Sequence, residues 1–334
     1  MSYKVFKMNR VIVRSYERKV LWMCMEFTKY HSLGNDYLVY DSNRNKPILT
    51  AEKIRAVCHR QFGLGADGIL LGPFLSQDGI RLKIYNSDGS EAENSGNGVL
   101  IFAKYMKDAG YIQKKEFDLL LEKGVENRVE DGQQTGEGNQ SVRRVRIRYN
   151  NEQGTCMTVN MGQLMFTPEA VGCSYHPREG EVAKSELVDI PMQFGDYTYR
   201  CTCVSIGNPH CVLPFKTVTK GIVCDVGEKI ENSSYFTRGI NTQIVQVTDR
   251  HNVRIEIYER GAGYTLASGS SACAAVGAMH KMRFVDSKVW VHMPGGKLLV
   301  CVDDAWNVDM TGNVSSIGTM RLTNEYILEK MLDK

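Results

Sequence analysis

Two short stretches carry the same side-chain chemistry. Ser95-Gly96-Asn97-Gly98 and Ser268-Gly269-Ser270 each stand just before a run without strand alternation, residues 99–106 closed by Gly110 and residues 272–282. Both runs are apolar nearly all round, the mark of a buried helix. The first turn of a helix has N–H groups without intrahelical partners and the positive end of the dipole, so it suits a carboxylate. Glycine there lets a ligand approach the main chain, and Asn97 and Ser270 add side-chain hydrogen bonds. Either serine alone reads as an ordinary N-cap. The pair, equally placed, points to a shared ligand.

The equal placement is part of a longer echo. Leu33-Gly34-Asn35 returns as Ile206-Gly207-Asn208, and the same offset in numbering separates Val39 from Val212, Ile84-Tyr85 from Ile257-Tyr258, and the two Ser-Gly pairs from each other. One offset through separate motifs indicates a duplication, with matching loops that could face one another. Each copy reads as β-strands around a central helix. Residues 81–85, 242–247 and 289–292 are strand-like. Residues 124–143 turn polar and glycine-rich (EDGQQTGEGNQS) and predict a long hairpin tip between strands at 117–121 and 145–149.

The expected organisation is therefore an α+β protein of two pseudo-symmetric domains, each a sheet wrapped round a central helix. The first spans 25–117 and the second 118–312, with a C-terminal segment, 313–334, packing back on the first. Residues 1–24, with six Lys or Arg and one Glu, form an N-terminal extension.

Composition narrows the function. The 334 residues carry 41 basic and 38 acidic side chains, a net charge of +3, and no stretch interleaves basic with aromatic residues. Nucleic acid is thus a disfavoured partner. No apolar run reaches the ~20 residues of a membrane span, so a soluble, cytoplasmic protein is expected. Ten cysteines are too few for a disulfide scaffold. The close pair Cys201 and Cys203 shares one face of a strand, and small apolar packing outweighs metal binding. Residues 63–68 (GLGADG) satisfy G-x-G-x-x-G, but a short strand ended by Gly72-Pro73 follows where a dinucleotide site needs a helix. No lysine sits in a phosphate-cup context for pyridoxal phosphate.

FTKYHSLGNDYLVYD, FGLGADG, IYNSDGSEAENSGNG, VSIGNPHCV, RGINTQ and IYERGAGYTLASGSSACAA occur in that order. Together they resemble the diaminopimelate epimerase family, from Met25 nearly to the C-terminus. The resemblance implies an isomerase of LL- and meso-diaminopimelate, working without cofactor or metal on a small amino-acid substrate, and a homodimer. It implies catalytic roles at positions 95 and 268, one on each side of the substrate α-carbon. His210 and Glu259 would set protonation beside them. Asn35, Asn86, Asn208 and Asn241 would bind the polar groups of the substrate, with Gly96, Asn97, Gly269 and Ser270 around its reacting carboxylate. Arg260 would pair with the distal carboxylate.

The family has cysteine where this chain has Ser95 and Ser268. A thiol titrates near pH 8.5, and a serine hydroxyl several units higher. Each unit of mismatch costs about 1.4 kcal/mol, so the Ser/Ser chain is expected to be nearly inactive while its pocket survives. Two origins fit: replacement of both cysteines, or a natural thiol-free relative. Tyr264, Leu100 and Ser271, where the family usually has Glu, Arg and Gly, are departures of another kind. Tyr264 and Leu100 leave open a racemase of another amino acid, and two natural serines a non-catalytic amino-acid-binding protein.

Overall fold

The structure is a computed structural model, described over residues 25–45, 48–92, 95–122, 142–175 and 184–330. The expected extension at 1–24 and the tip at 124–141 lie outside the described residues. The first half contains β1 (Glu26–Ser32), β2 (Asn35–Tyr40), α1 (Ala51–Cys58), β3 (Gly68–Ser76), β4 (Gly79–Asn86), α2 (Gly96–Asp108), β5 (Glu116–Glu122), β6 (Val142–Tyr149) and β7 (Cys156–Gln163). After the single turn α3 (Pro168–Val171) come β8 (Ile190–Phe194), β9 (Tyr197–Ser205), β10 (Pro209–Pro214), α4 (Lys220–Glu231), β11 (Asn241–Asp249), β12 (Asn252–Glu259) and β13 (Gly263–Thr265). The chain ends with α5 (Gly269–Lys281), β14 (Lys288–Met293), β15 (Gly296–Val302), β16 (Asn307–Asn313), β17 (Ser315–Arg321) and α6 (Asn324–Lys330).

The duplication is visible in the strand pairing. β1 and β2 are antiparallel, β2 and β3 parallel, β3 and β4 antiparallel, β4 and β5 parallel, and β5, β6 and β7 antiparallel in turn. The same sequence of senses runs through β9, β10, β11, β12, β14, β15 and β16. β7 pairs with β16 and joins the halves. Gly68, Gly79 and Gly96 open β3, β4 and α2, and Asn241, Asn252 and Gly269 open β11, β12 and α5, each at the offset that separates the sequence motifs. A parallel pair needs a long crossover, and a helix supplies each one: α1 and α2 in the first half, α4 and α5 in the second.

The ends are exchanged. β8, which follows β7, pairs with β9 of the second half, and β17, which follows β16, pairs with β1 of the first. The expected boundary at 117/118 falls inside β5, and the ladder continues from β4 through β5 to β7 without a break there. Ile327 of α6 packs with Met25, Phe27 and Ile54. The Gly72-Pro73 expectation needs correction. β3 passes through it to Ser76, because a register shift between Leu71 and Phe74 leaves the proline outside the ladder.

One apolar core holds α2 and α5 together with the inner faces of both sheets, and two smaller clusters lie under α1 and α4. Helix α2 fills its half with Val99, Leu100, Phe102 and Met106. Helix α5 is built from Ala272, Ala274, Ala275 and Ala278, and so is approached closely. A Cβ on Gly277 would stand 2.3 Å from Leu164 Cδ1. Among the described residues no helix is long and apolar enough to cross a membrane.

Candidate functional site

Helices α2 and α5 meet at their N-termini. A Cβ built on Gly269 would lie 3.5 Å from Gly96 Cα, and the Met310 thioether packs against both glycines. Absence of side chains at 96 and 269 is what allows two backbones this close. Residues 95 and 268, distant in sequence, therefore cap two helices that point their N–H groups into one region.

Both serines are N-caps in the ordinary sense, with extended backbones and hydroxyls facing the third N–H of the helix. Their surroundings differ. Ser95 Oγ accepts from Gly98 N at 3.0 Å and from the Tyr37 hydroxyl at 3.2 Å. Ser268 Oγ accepts from Ser271 N at a longer 3.4 Å and lies 3.5 Å from Ser270 Oγ. Its other neighbour is Glu259. Burial raises the Glu259 carboxyl above the usual range, the hydroxyls of Ser268 and Thr265 work against that, and Asp67 adds to it.

His210 lies wholly buried on β10. Its Nε2 is 3.1 Å from Asn208 Oδ1, and Asn208 Nδ2 donates to Ser270 Oγ at 3.4 Å, so the histidine is tied to the start of α5 through one asparagine. Burial pushes the ring down to about 3; Gln243 opposes this without reaching hydrogen-bond geometry, and Arg260 lowers it further. The imidazole is neutral at physiological pH.

Asn35 donates to Asp67 Oδ2 at 2.8 Å, and Asp67 is itself held by Arg60 at 2.6 Å. The glycine-rich segment before β3 thus supplies an acid that fixes a turn asparagine. Asp67 also raises both Tyr37 and Glu259, which sets these three groups in one electrostatic neighbourhood across the halves. Asn241 spends its amide inside the protein, donating to Pro209 O at 2.9 Å and accepting from Arg260 N at 3.1 Å. It orients the strand end that carries the exposed Arg260, whose guanidinium donates to Arg238 O at 3.3 Å. Asn86 is exposed on the rim and donates to Ser90 Oγ.

Three buried polar atoms here have no protein partner: Asn97 Oδ1, His210 Nδ1 and Gln243 Oε1. Orphaned polar atoms clustered beside two helix starts are what a polar ligand would satisfy.

Two residues were not singled out by sequence reasoning. Gln243 donates to the buried Ser271 Oγ at 3.0 Å, in the first turn of α5. Tyr37 is the partner of Ser95. A signal for Tyr37 was available, since Tyr37 and His210 stand at the repeat offset and so occupy matching positions in the duplication. In the ladder Tyr37 stands beside Gly68, and His210 beside Asn241.

Of the departures from the family, Leu100 is fully buried against Gly312. Tyr264 donates to Glu256 at 2.9 Å, with Lys220 over its ring. Outside the site, Cys201 and Cys203 are joined by Cys211 of the next strand, the three sulfurs lying within 4.8 Å of one another. Such a set is a geometry for a thiophilic ion. All three pack with apolar neighbours such as Ile190 and Leu213 in the cluster under α4, as small apolar side chains do.

The comparisons with known proteins follow the same outline. The diaminopimelate epimerase family model matches residues 27–142 and 202–317, one block for each half. The chain is 39% identical over 303 residues to diaminopimelate epimerase 2 of Nostoc sp., covering 90% of this chain and 96% of that one. It is 34% identical over 294 residues to the diaminopimelate epimerase of Clostridium perfringens, covering 88% and 97%. Among solved structures, a hydroxyproline epimerase from Agrobacterium vitis shares the fold with a TM-score of 0.60 at 11% identity, covering 90% of this chain and 93% of that one. With two abutting helix starts, a repeat seen in both sequence and ladder, and relatives matched over almost their full lengths, the chain belongs to the diaminopimelate epimerase family of isomerases.

Proposed function

We propose that this chain binds an amino acid carrying a second charged end, with diaminopimelate as the favoured substrate, and supports epimerisation at its α-carbon by two-sided proton transfer. The reading rests above all on the abutting N-termini of α2 and α5. A carboxylate lying between them would accept N–H bonds from both helices and stabilise the carbanion-like transition state with preorganised dipoles. The side chain at 95 removes the α-proton from one face and that at 268 returns one to the other, with the roles exchanged in the reverse direction. Asn97, Asn208 and Ser270 orient the polar groups, and Arg260 receives the distal carboxylate.

With serine at both positions the relay lacks groups that ionise near neutrality, so the chain as it stands binds well and turns over poorly. The name of its Nostoc relative supports diaminopimelate as the ligand. Tyr264 and Leu100, both accommodated by packing of their own, support a modified pocket and hence another amino acid as the second reading.

The test is α-proton exchange in D₂O followed by NMR. The Ser95→Cys, Ser268→Cys double variant is expected to exchange the α-proton of diaminopimelate at least ~100-fold faster than the unaltered chain, two or more pKa units of mismatch having been removed. Exchange with lysine, histidine or glutamate but not diaminopimelate would reassign the substrate. Micromolar binding by calorimetry with no exchange for any amino acid would make it a binding protein.

A further inference from the structure

The two halves treat their capping serines differently, and the difference lies in one hydroxyl. Ser95 Oγ receives two donors, Gly98 N–H at 3.0 Å and Tyr37 O–H at 3.2 Å. An oxygen that accepts twice has its own proton free for exchange and is prepared to carry negative charge. Ser268 Oγ, by contrast, has a longer N–H contact and a carboxylate neighbour, Glu259, which when ionised can only accept.

Tyr37 is also held in place. It is 6% exposed, and its ring lies over Gly68 on the adjoining strand, where a Cβ would stand 2.7 Å from Tyr37 Cε1. Burial, followed by the carboxylates of Asp67 and Glu259 and the Cys58 thiol, pushes its hydroxyl up to about 12. It therefore remains a protonated donor throughout the physiological range.

We infer that Tyr37 is a positioning residue which, by donating to the side chain at 95, stabilises its ionised form and makes the first half the proton-accepting side in the direction that begins with proton removal at 95. The inference rests on the two-sided proton transfer proposed above for its purpose, but not for its measurement. Substrate α-hydrogen leaves as a proton to the anion at 95, and the proton delivered to the opposite face comes from the side chain at 268, so charge and atoms balance without any further reactant.

The experiment uses thiols as reporters. The full chain carrying Ser95→Cys and Ser268→Cys, with and without Tyr37→Phe, is alkylated with iodoacetamide from about pH 6 to about pH 10. Modification at each position is read by peptide mass spectrometry. Loss of one hydrogen bond to an ionised group predicts that Tyr37→Phe raises the alkylation midpoint at position 95 by about one unit and leaves that at 268 unchanged. Replacing Tyr37 with 3-fluorotyrosine, a stronger donor, moves the position-95 midpoint down. No movement at 95, or equal movement at both positions, overturns the inference. Because alkylation needs no substrate, the expected shift without α-proton exchange would sink the epimerase reading and leave the donor role standing.

Discussion

Three strand positions run side by side in each half. In the first they are Tyr37, Gly68 and Asn86; in the second, His210 and Asn241, with Glu259 one place beyond the Thr242–Tyr258 pair that ends the β11–β12 ladder. Each pair of counterparts stands at the repeat offset, so the backbones match while every side chain in the row differs. The first row offers a protonated donor, an empty place and a neutral rim amide. The second offers a neutral imidazole, a bridging amide and a carboxyl with a raised pKa. A duplicated scaffold can place two equivalent helix starts on opposite sides of one ligand. Unlike rows suit the division inferred above, in which one side stabilises an anion and the other delivers a proton.

The largest expected break in this comparison is steric. A Cβ on Gly68 would lie 2.2 Å from Tyr85 O, a backbone atom that cannot swing away, as well as against the Tyr37 ring. Gly68→Ala is expected to cost more than about 3 kcal/mol in urea denaturation, against about 2 kcal/mol for its counterpart Asn241→Ala, which only leaves Pro209 O and Arg260 N unpartnered. Equal losses would mean that Gly68 is not shaped around its neighbours.

A second, intermediate effect separates the halves by pH. His210 has a folded pKa of about 3 against about 6.5 unfolded, so the unfolded chain takes the proton first. Stability from this ring is complete above about pH 6.5 and is lost as the pH falls towards 3. Between about pH 7.5 and 4.5 the unaltered chain should lose roughly 2–3 kcal/mol through it, a component that His210→Gln lacks. Tyr37→Phe should keep that component in full, since its hydroxyl does not titrate there. Matching acid limbs for the two variants would remove the distinction between the rows.

The smallest effect is at the caps. Ser95→Ala forfeits two hydrogen bonds of 3.0 and 3.2 Å, and Ser268→Ala a weaker one of 3.4 Å. We expect losses of about 1.5 and about 0.5 kcal/mol by thermal or urea unfolding. The reverse order would show that the second helix depends more on its cap.

Much of the site was legible in the chain. Ser-Gly before two apolar runs located both helix starts, since cap chemistry is local and glycine marks close approach. The motif offset also separates the starts of β3, β4 and α2 from those of β11, β12 and α5, a correspondence visible only once the elements are in place. Asn241 and Asn35 were legible as polar site residues, but not as residues whose amides are spent on Pro209, Arg260 and Asp67, because those partners lie 19 to 32 positions away. Tyr37 escaped for the same reason: a tyrosine in a strand pattern is an ordinary core residue until the end of its ring is seen to meet Ser95, 58 positions on. Cys211 joined Cys201 and Cys203 only when β10 folded against β9.

What the amino-acid order determined, then, was repetition, periodicity and capping, all of which act within one or two turns of chain. The exchange of β8 and β17 between halves, the seam of β7 on β16, and the meeting of Gly96 with Gly269 were decided by tertiary packing. Each brings together residues far apart in the chain, and such contacts depend on how whole sheets bury their apolar faces rather than on any local preference of the segments that touch.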